Sequence, residues 1–328
     1  LNLLTKENYT LPLLTQWERK MKEQGNNAEV DFNGTKVTFE EKGGKSIIAM
    51  FSIEGKPFFL KLSNIKTSCK PPNDINKIRN SVTIHDSGES GSFVYSLMPE
   101  IIKGTELFYE IAEKEAKFNS SWFIQLVKII EDIHGMGWLH RDIKSENFMI
   151  TQDGKVILID TEGIGPNLSG GLKSHGTLSY KPPKDRQDMY GQPTKYSDLW
   201  ALGLTLLTLF YNSDQEIGHV IGNHTTMGSK ISEKLREIYN EIKRIKGVNP
   251  DVYGNVNPFI NNSIDSKLAK LEAQKKRLLN QLEEYDTKII EVLNEKIKDT
   301  HTYKEYYEFI LKLLKDRVLD TSLLPQED

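Results

Sequence analysis

LHRDIKSENFMITQDGKVILIDTEG (Leu139–Gly163) is the stretch on which the reading of this chain turns. It predicts a loop, a short strand, a turn and a second strand. Phe148-Met149-Ile150 is an apolar run, and Asp153-Gly154 is a strong two-residue hairpin signal, because such turns need positive φ. Val156–Ile159 then delivers Asp160 to the end of a buried strand. One hairpin thereby gathers Asp142, Asn147 and Asp160 along one edge.

Two acids and an amide so gathered suit phosphoryl transfer. One carboxylate can face an attacking hydroxyl, while the second acid and the amide oxygen hold metal ions against phosphates. The stretch closely resembles the protein-kinase catalytic loop, His-Arg-Asp-x-Lys-x-x-Asn, followed after a strand by the metal-binding Asp. A chance hairpin with charged loop residues is the alternative. It must explain His140, Arg141, Asp142, Lys144, Asn147 and Asp160 all falling in step.

Upstream, Lys36–Glu41, Ser46–Ile53 and Lys56–Leu62 read as antiparallel strands with turns at Gly43-Gly44 and Glu54-Gly55. They resemble the start of a kinase small lobe. The resemblance puts Lys61 on the α- and β-phosphates and Gly43 and Gly44 in the phosphate-binding turn, although a plain hairpin turn explains the glycines equally well. Residues 64–80 should hold the helix whose Glu pairs with that Lys, yet they contain no Glu. Asn73–Arg79 is the candidate helix and Asp74 its one acid, so either Asp74 substitutes or Lys61 is positioned some other way. Ser81–His85 and Ser92–Leu97 read as two further strands around a turn at Ser87–Gly91. Met98–Ile102 resembles the linker between lobes, which implies adenine contacts from the backbone of Glu100 and Ile102. Glu106 matches the acid that bonds the ribose, or is a first-turn Glu favoured by the helix dipole. Near the start, Thr15–Glu18 reads as a capping box opening a helix that ends near Gly25, with Trp17 and Met21 on one packing face.

Downstream, Ser120–Gly135 predicts a helix with a broad apolar stripe, closed by Gly135 in the left-handed conformation. After Asp160 the kinase family has Phe-Gly, and this chain has Thr161-Glu162-Gly163. Asp-x-Glu also resembles the metal site of kinase-fold enzymes that act on small molecules, which gives Glu162 a second metal ion. Gly176–Pro183 resembles the end of an activation segment, except that Lys184 stands where the family has an acid that pairs with a distant Arg. Asp198, in Asp-Leu-Trp-Ala-Leu-Gly, resembles the buried aspartate of the central large-lobe helix. Ser229–Lys246 is an amphipathic helix carrying six basic residues against three glutamates, read as a solvated face or as an anion site. Ile264–Val292 carries a heptad seam that either packs within the chain or pairs with a partner, and Thr302–Val318 offers an amphipathic helix to pack against.

The chain has 328 residues, a net charge of −3 and one cysteine, Cys69. That excludes a disulfide framework and a general polyanion binder, and no nucleic-acid partner is expected. The apolar run Leu199–Tyr211 is too short to span a bilayer, and Leu1–Leu4 does not read as a signal peptide. The resemblance implies an α+β, bilobal protein-kinase-like fold with a β-rich small lobe, a helical large lobe and an extra C-terminal helical extension. The expected segments are an extension over 1–30, small lobe 31–98, large lobe 99–225 and helical region 226–328, with the heptad-patterned helix over 264–297. The expected activity is transfer of the γ-phosphoryl of ATP to protein Ser/Thr hydroxyls. Asp142 and Lys144 would be catalytic, and Asn147 and Asp160 would hold Mg²⁺ or Mn²⁺. A small-molecule or lipid kinase and a non-catalytic scaffold stay open as alternatives. So do an anionic regulator, such as an inositol phosphate or phosphoinositide at the basic helices, and a cytoplasmic place or secretion into a host cell as an effector.

Overall fold

A computed structural model describes residues 11–24, 29–32, 35–42, 46–53, 56–64, 70–99, 104–166, 176–187, 193–246, 258–298 and 302–325. The chain forms two compact units, Leu1–Lys114 with Ser120–His175, and Glu115–Asn119 with Gly176–Asp328. The first is β-rich and the second helical, as an α+β class requires.

The first unit opens with helix α1 (Leu11–Gln24) and strands β1 (Glu29–Phe32), β2 (Thr35–Lys42), β3 (Ser46–Ile53), β4 (Lys56–Asn64), β5 (Asp86–Ser90) and β6 (Phe93–Pro99). The strands form one antiparallel sheet in the order β1-β2-β3-β4-β6-β5. Alternate residues Val37 and Phe39, Ile47 and Ala49, and Leu60 and Leu62 are buried on one face, as the two-residue period of a strand dictates. Trp17 of α1 closes this core, stacked on Phe39 and edge-on to Phe93, each at 5.1 Å between ring centres. Lys61 alternates with those core residues, opposite Ile48 of β3 and Ser96 of β6.

The structure corrects several expectations here. α1 starts at Leu11, so Thr15 is inside the helix rather than capping it. Pro12 suits a first turn, and buried Leu13 and Leu14 extend the apolar stripe upstream. The candidate helix Asn73–Arg79 is reduced to one 3₁₀ turn, Ile75–Lys77. The Asn76 amide exchanges two 2.9 Å hydrogen bonds with the main chain of Ile84. Arg79 donates through its main-chain N–H and its guanidinium to Asp132, at 2.9, 2.7 and 2.6 Å. The chain therefore turns away from helix. Ser81 makes only an isolated bridge, with Leu158, and the strand that pairs with the free edge of β6, opposite β4, is Asp86–Ser90, a run of turn-forming residues. Gly88 makes that pairing feasible, since a Cβ there would lie 2.8 Å from the Tyr95 hydroxyl oxygen.

The unit continues with β7 (Gly104–Glu106), α2 (Leu107–Ala112), α3 (Ser120–Gly135), β8 (Trp138–Leu139), β9 (Phe148–Thr151), β10 (Val156–Leu158) and β11 (Gly165–Pro166). The expected hairpin is β9–β10, flanked by β7, and Gly154 turns it at φ +79°. α3 ends where expected, but the left-handed residue is Gly137, at φ +73°, while Gly135 is still helical.

The second unit holds α4 (Lys195–Thr208), α5 (Gln215–Lys246), α6 (Pro258–Lys298) and α7 (Lys304–Lys315). Every residue of α4 from Asp198 to Thr208 is buried. Ile231, Leu235 and Tyr239 of α5 meet Leu279 and Leu282 of α6 in one cluster with Leu178. The heptad seam is thus buried within the chain in its second half, at Leu282, Ile289 and Val292, while Ile264 is exposed. Among the described residues no helix is long and apolar enough to cross a membrane.

Candidate active site

The loop between β8 and β9 is built around Asp142. The Asn147 side-chain amide donates to the Asp142 carbonyl at 2.6 Å, and the Asn147 carbonyl accepts from the Ile159 N–H at 3.0 Å. These bonds tie the loop to the chain entering Asp160. Lys144 Nζ lies 3.6 Å from Asp142 Oδ2. The Asp142 N–H reaches His140 Nδ1 at 3.3 Å. Arg141 adopts φ +75°, a conformation disfavoured for a side chain with a Cβ. Its guanidinium donates to the carbonyl of Gly163 and, at 2.6 Å, to that of Pro166. The segment after Asp160 is therefore pinned to the loop that carries Asp142.

Lys61 meets two acids from this segment. Its Nζ lies 3.1 Å from Asp160 Oδ1 and 3.4 Å from Glu162 Oε1. Ser63, two residues along β4, donates to Glu162 Oε2, and the Ser63 and Ser46 hydroxyls are 3.0 Å apart. Burial disfavours the Lys61 charge, but the neighbouring Asp160 and Glu162 carboxylates outweigh it and raise its pKa. Burial likewise opposes ionisation of Asp160, and Lys61 reverses that, holding it below the usual carboxylate range. Glu162 is shifted upward, chiefly by burial. Glu106 is also raised, by burial and then by the nearby Glu146, with Lys144 pulling the other way.

Of the residues expected from sequence, Lys61 and Asp160 are in direct contact, and Asp142, Lys144 and Asn147 share one loop whose end adjoins Asp160. Glu106 ends β7 and feels the charges of that loop. Gly43, Gly44, Glu100 and Ile102 lie outside the described residues. Asp74 does not reach Lys61: it is exposed and pairs with Lys77 at 2.8 Å. Sequence reasoning missed the contact of Glu162 with Lys61 and Ser63 and the pinning role of Arg141. The spacing of Lys61 and Ser63 on one face of a strand was the available signal for the first.

Magnesium and manganese prefer oxygen donors and commonly bind through one or two carboxylates plus phosphate oxygens. Asp160, with its side chain 32% exposed, supplies a carboxylate. The Asn147 amide nitrogen is used by Asp142, which leaves the amide oxygen as a donor of the right kind. Among the described residues no three His, Cys, Asp or Glu side chains gather as a metal site. An ion here would therefore complete its shell from phosphate and water. The donor set fits such an ion.

Comparison with known proteins points the same way. Residues 73–315 match the family model described as protein kinase domain, a span that begins after Lys61. Serine/threonine-protein kinase F of Synechocystis sp. is 28% identical over 171 residues, 48% of this chain and 34% of that protein. The 3-phosphoinositide-dependent protein kinase 1 of Arabidopsis thaliana is 35% identical over 127 residues, 33% of this chain and 25% of that protein. Serine/threonine-protein kinase Nek1 of Mus musculus is 31% identical over 186 residues, 51% and 15% respectively. The chain spans about a third or less of the length of these relatives.

Proposed function

The chain belongs to the protein kinase family, and on that premise we propose that it transfers a phosphoryl group from ATP to serine and threonine hydroxyls of protein substrates. The observation that carries the Ser/Thr reading is Lys144, two residues after Asp142 and 3.6 Å from its carboxylate. In this family a lysine so placed goes with serine and threonine acceptors, and small-molecule kinases lack the Arg-Asp-x-Lys pattern.

ATP with its divalent ion supplies the phosphoryl group. The residues then divide the remaining work. Asp142 orients the substrate hydroxyl and accepts its proton as the oxygen attacks. Lys144 offsets negative charge that builds up between that oxygen and the moving phosphoryl group. Asp160 and Asn147 would hold that ion. Lys61 holds the non-transferred phosphates, and its ammonium stays charged because two carboxylates face it. Arg141 keeps the segment after Asp160 in register with the loop.

The test is to incubate the protein with γ-labelled ATP, Mg²⁺ or Mn²⁺ and generic protein substrates, then hydrolyse the labelled product. Label in phosphoserine and phosphothreonine is expected. Label confined to phosphotyrosine, or found only in small molecules, would overturn the proposal.

A further inference from the structure

Lys61 needs a fixed anionic partner. A long lysine side chain loses rotamer freedom when it is held in one place, and burial works against its charge. The segment that should supply that partner does not. Residues 65–69, Ile-Lys-Thr-Ser-Cys, contain no carboxylate, and Asp74 is spent on Lys77 at the surface. Asp160 touches Lys61 but is needed for the metal ion in the reading above. That leaves Glu162.

We propose that Glu162 is the positioning residue for Lys61, supplying from the turn after Asp160 the carboxylate that the segment before β5 does not bring to it. This rests on the phosphotransferase reading of the same site. Three contacts make Glu162 a rigid anchor. Lys61 and Ser63 project from the same face of β4, and both bind its carboxylate, one oxygen each. Ser46 of β3 backs Ser63 at 3.0 Å. On the other side, Gly163 fixes where Glu162 sits. A Cβ on Gly163 would lie 2.8 Å from the His140 carbonyl oxygen, and its own carbonyl is held by Arg141. The family glycine is therefore displaced by one residue, and the vacated position carries the acid.

The acid that aligns Lys61 and the acid assigned to the metal sit two residues apart, on either side of Thr161. Lys61 is thus aligned from that stretch rather than from the segment before β5. The segment before β5 is instead stapled to α3 through Arg79 and Asp132, and to β10 by Val82 and Asn80 bonded to Leu158 at 2.9 and 2.8 Å.

The experiment is a double-mutant cycle on the whole chain, read by affinity for a fluorescent ATP analogue in Mg²⁺. Glu162→Gln should weaken nucleotide binding by about tenfold in the native background and by less than about twofold when Lys61 is already alanine, since coupled residues are non-additive. Glu162→Asp should recover part of the loss, and the Mg²⁺ concentration for half-maximal phosphotransfer should not move. Ser63→Ala, a milder change that leaves every charge in place, should give a smaller loss with the same dependence on Lys61, and serves if Glu162→Gln misfolds. Equal losses in both backgrounds would overturn the proposal, and so would a Mg²⁺ requirement raised by Glu162→Gln, which would make Glu162 a metal ligand. A native chain that binds nucleotide but labels no protein would sink the phosphotransferase reading while the cycle still reports on Glu162.

Discussion

The Arg186 guanidinium grips both carboxylate oxygens of Asp286, joining the turn after Tyr180 to helix α6 through a pair whose side chains are 1% and 4% exposed. Arg186 also donates to the carbonyls of Leu178 and Ser179 at 3.3 and 3.1 Å, and Tyr239 donates to the Arg186 carbonyl at 2.6 Å. His224 Nε2 lies 3.1 Å from Asp286 Oδ1. The sequence places Lys184 where kinases carry an acid that pairs with a distant arginine. Here the segment supplies a cation, Arg186, two residues past Lys184, and the acid that meets it comes from α6.

Removing one partner of a buried ion pair strands the other, at a cost of about 3–5 kcal/mol. Asp286→Ala should therefore unfold at markedly lower denaturant than the native chain. Replacing Arg186 and Asp286 together by Met and Leu should cost far less. Urea unfolding followed by circular dichroism checks this, and a single mutant as stable as native would count against the pair.

Gly163→Ala places a methyl group 2.8 Å from the main-chain oxygen of His140, where neither atom can move freely. Overpacking of this kind costs about 1–3 kcal/mol, and here the strain falls on the turn carrying Asp160 and Glu162. Phosphotransfer should fall by more than about tenfold with only a modest drop in melting temperature. By contrast Gly135→Ala meets nothing within 4 Å and lies within α3, so it should leave both unchanged or raise stability slightly.

Asp214 caps α5, accepting from the N–H groups of Glu216 and Ile217 at 3.1 and 3.2 Å. Tyr307 donates to it at 2.9 Å and Lys296 lies at 3.1 Å. Burial pushes its pKa up, but the helix N–H, Tyr307 and Lys296 outweigh that and hold it below the ordinary range. A carboxyl with a lower pKa folded than unfolded contributes stability that is complete above the unfolded value, about 4. That contribution is lost as pH falls through the folded value. Asp214→Asn should lower the melting temperature at pH 7, and the gap from native should shrink as pH drops below about 4. A gap constant with pH would show that the charge contributes nothing.

The parts of the site that were legible in sequence are those fixed by local chemistry. Asp153-Gly154 could only be a tight turn, so β9–β10 and its three polar residues followed. The stripe from Phe123 to Ile133 could only be a buried helix face. Local signals misled where longer-range contacts decided. Asp86–Ser90 has turn composition but becomes a strand because β6 lies alongside it and Tyr95 needs the space at Gly88. Asn73–Arg79 reads as a candidate helix, yet Asn76 and Arg79 spend their hydrogen bonds on Ile84 and Asp132. The contact of Glu162 with Lys61 joins residues distant in sequence, and motif matching could show only that the usual partner was missing.

The most direct measurement of the central claim is the initial rate of phosphoryl transfer from labelled ATP to protein by the native chain, Asp142→Asn and Asp160→Ala, with folding of each verified by circular dichroism. Both variants should lose at least about a hundredfold in rate, as expected when a group acting on the transition state is removed. Near-native rates in either folded variant would show that phosphoryl transfer does not run through that carboxylate.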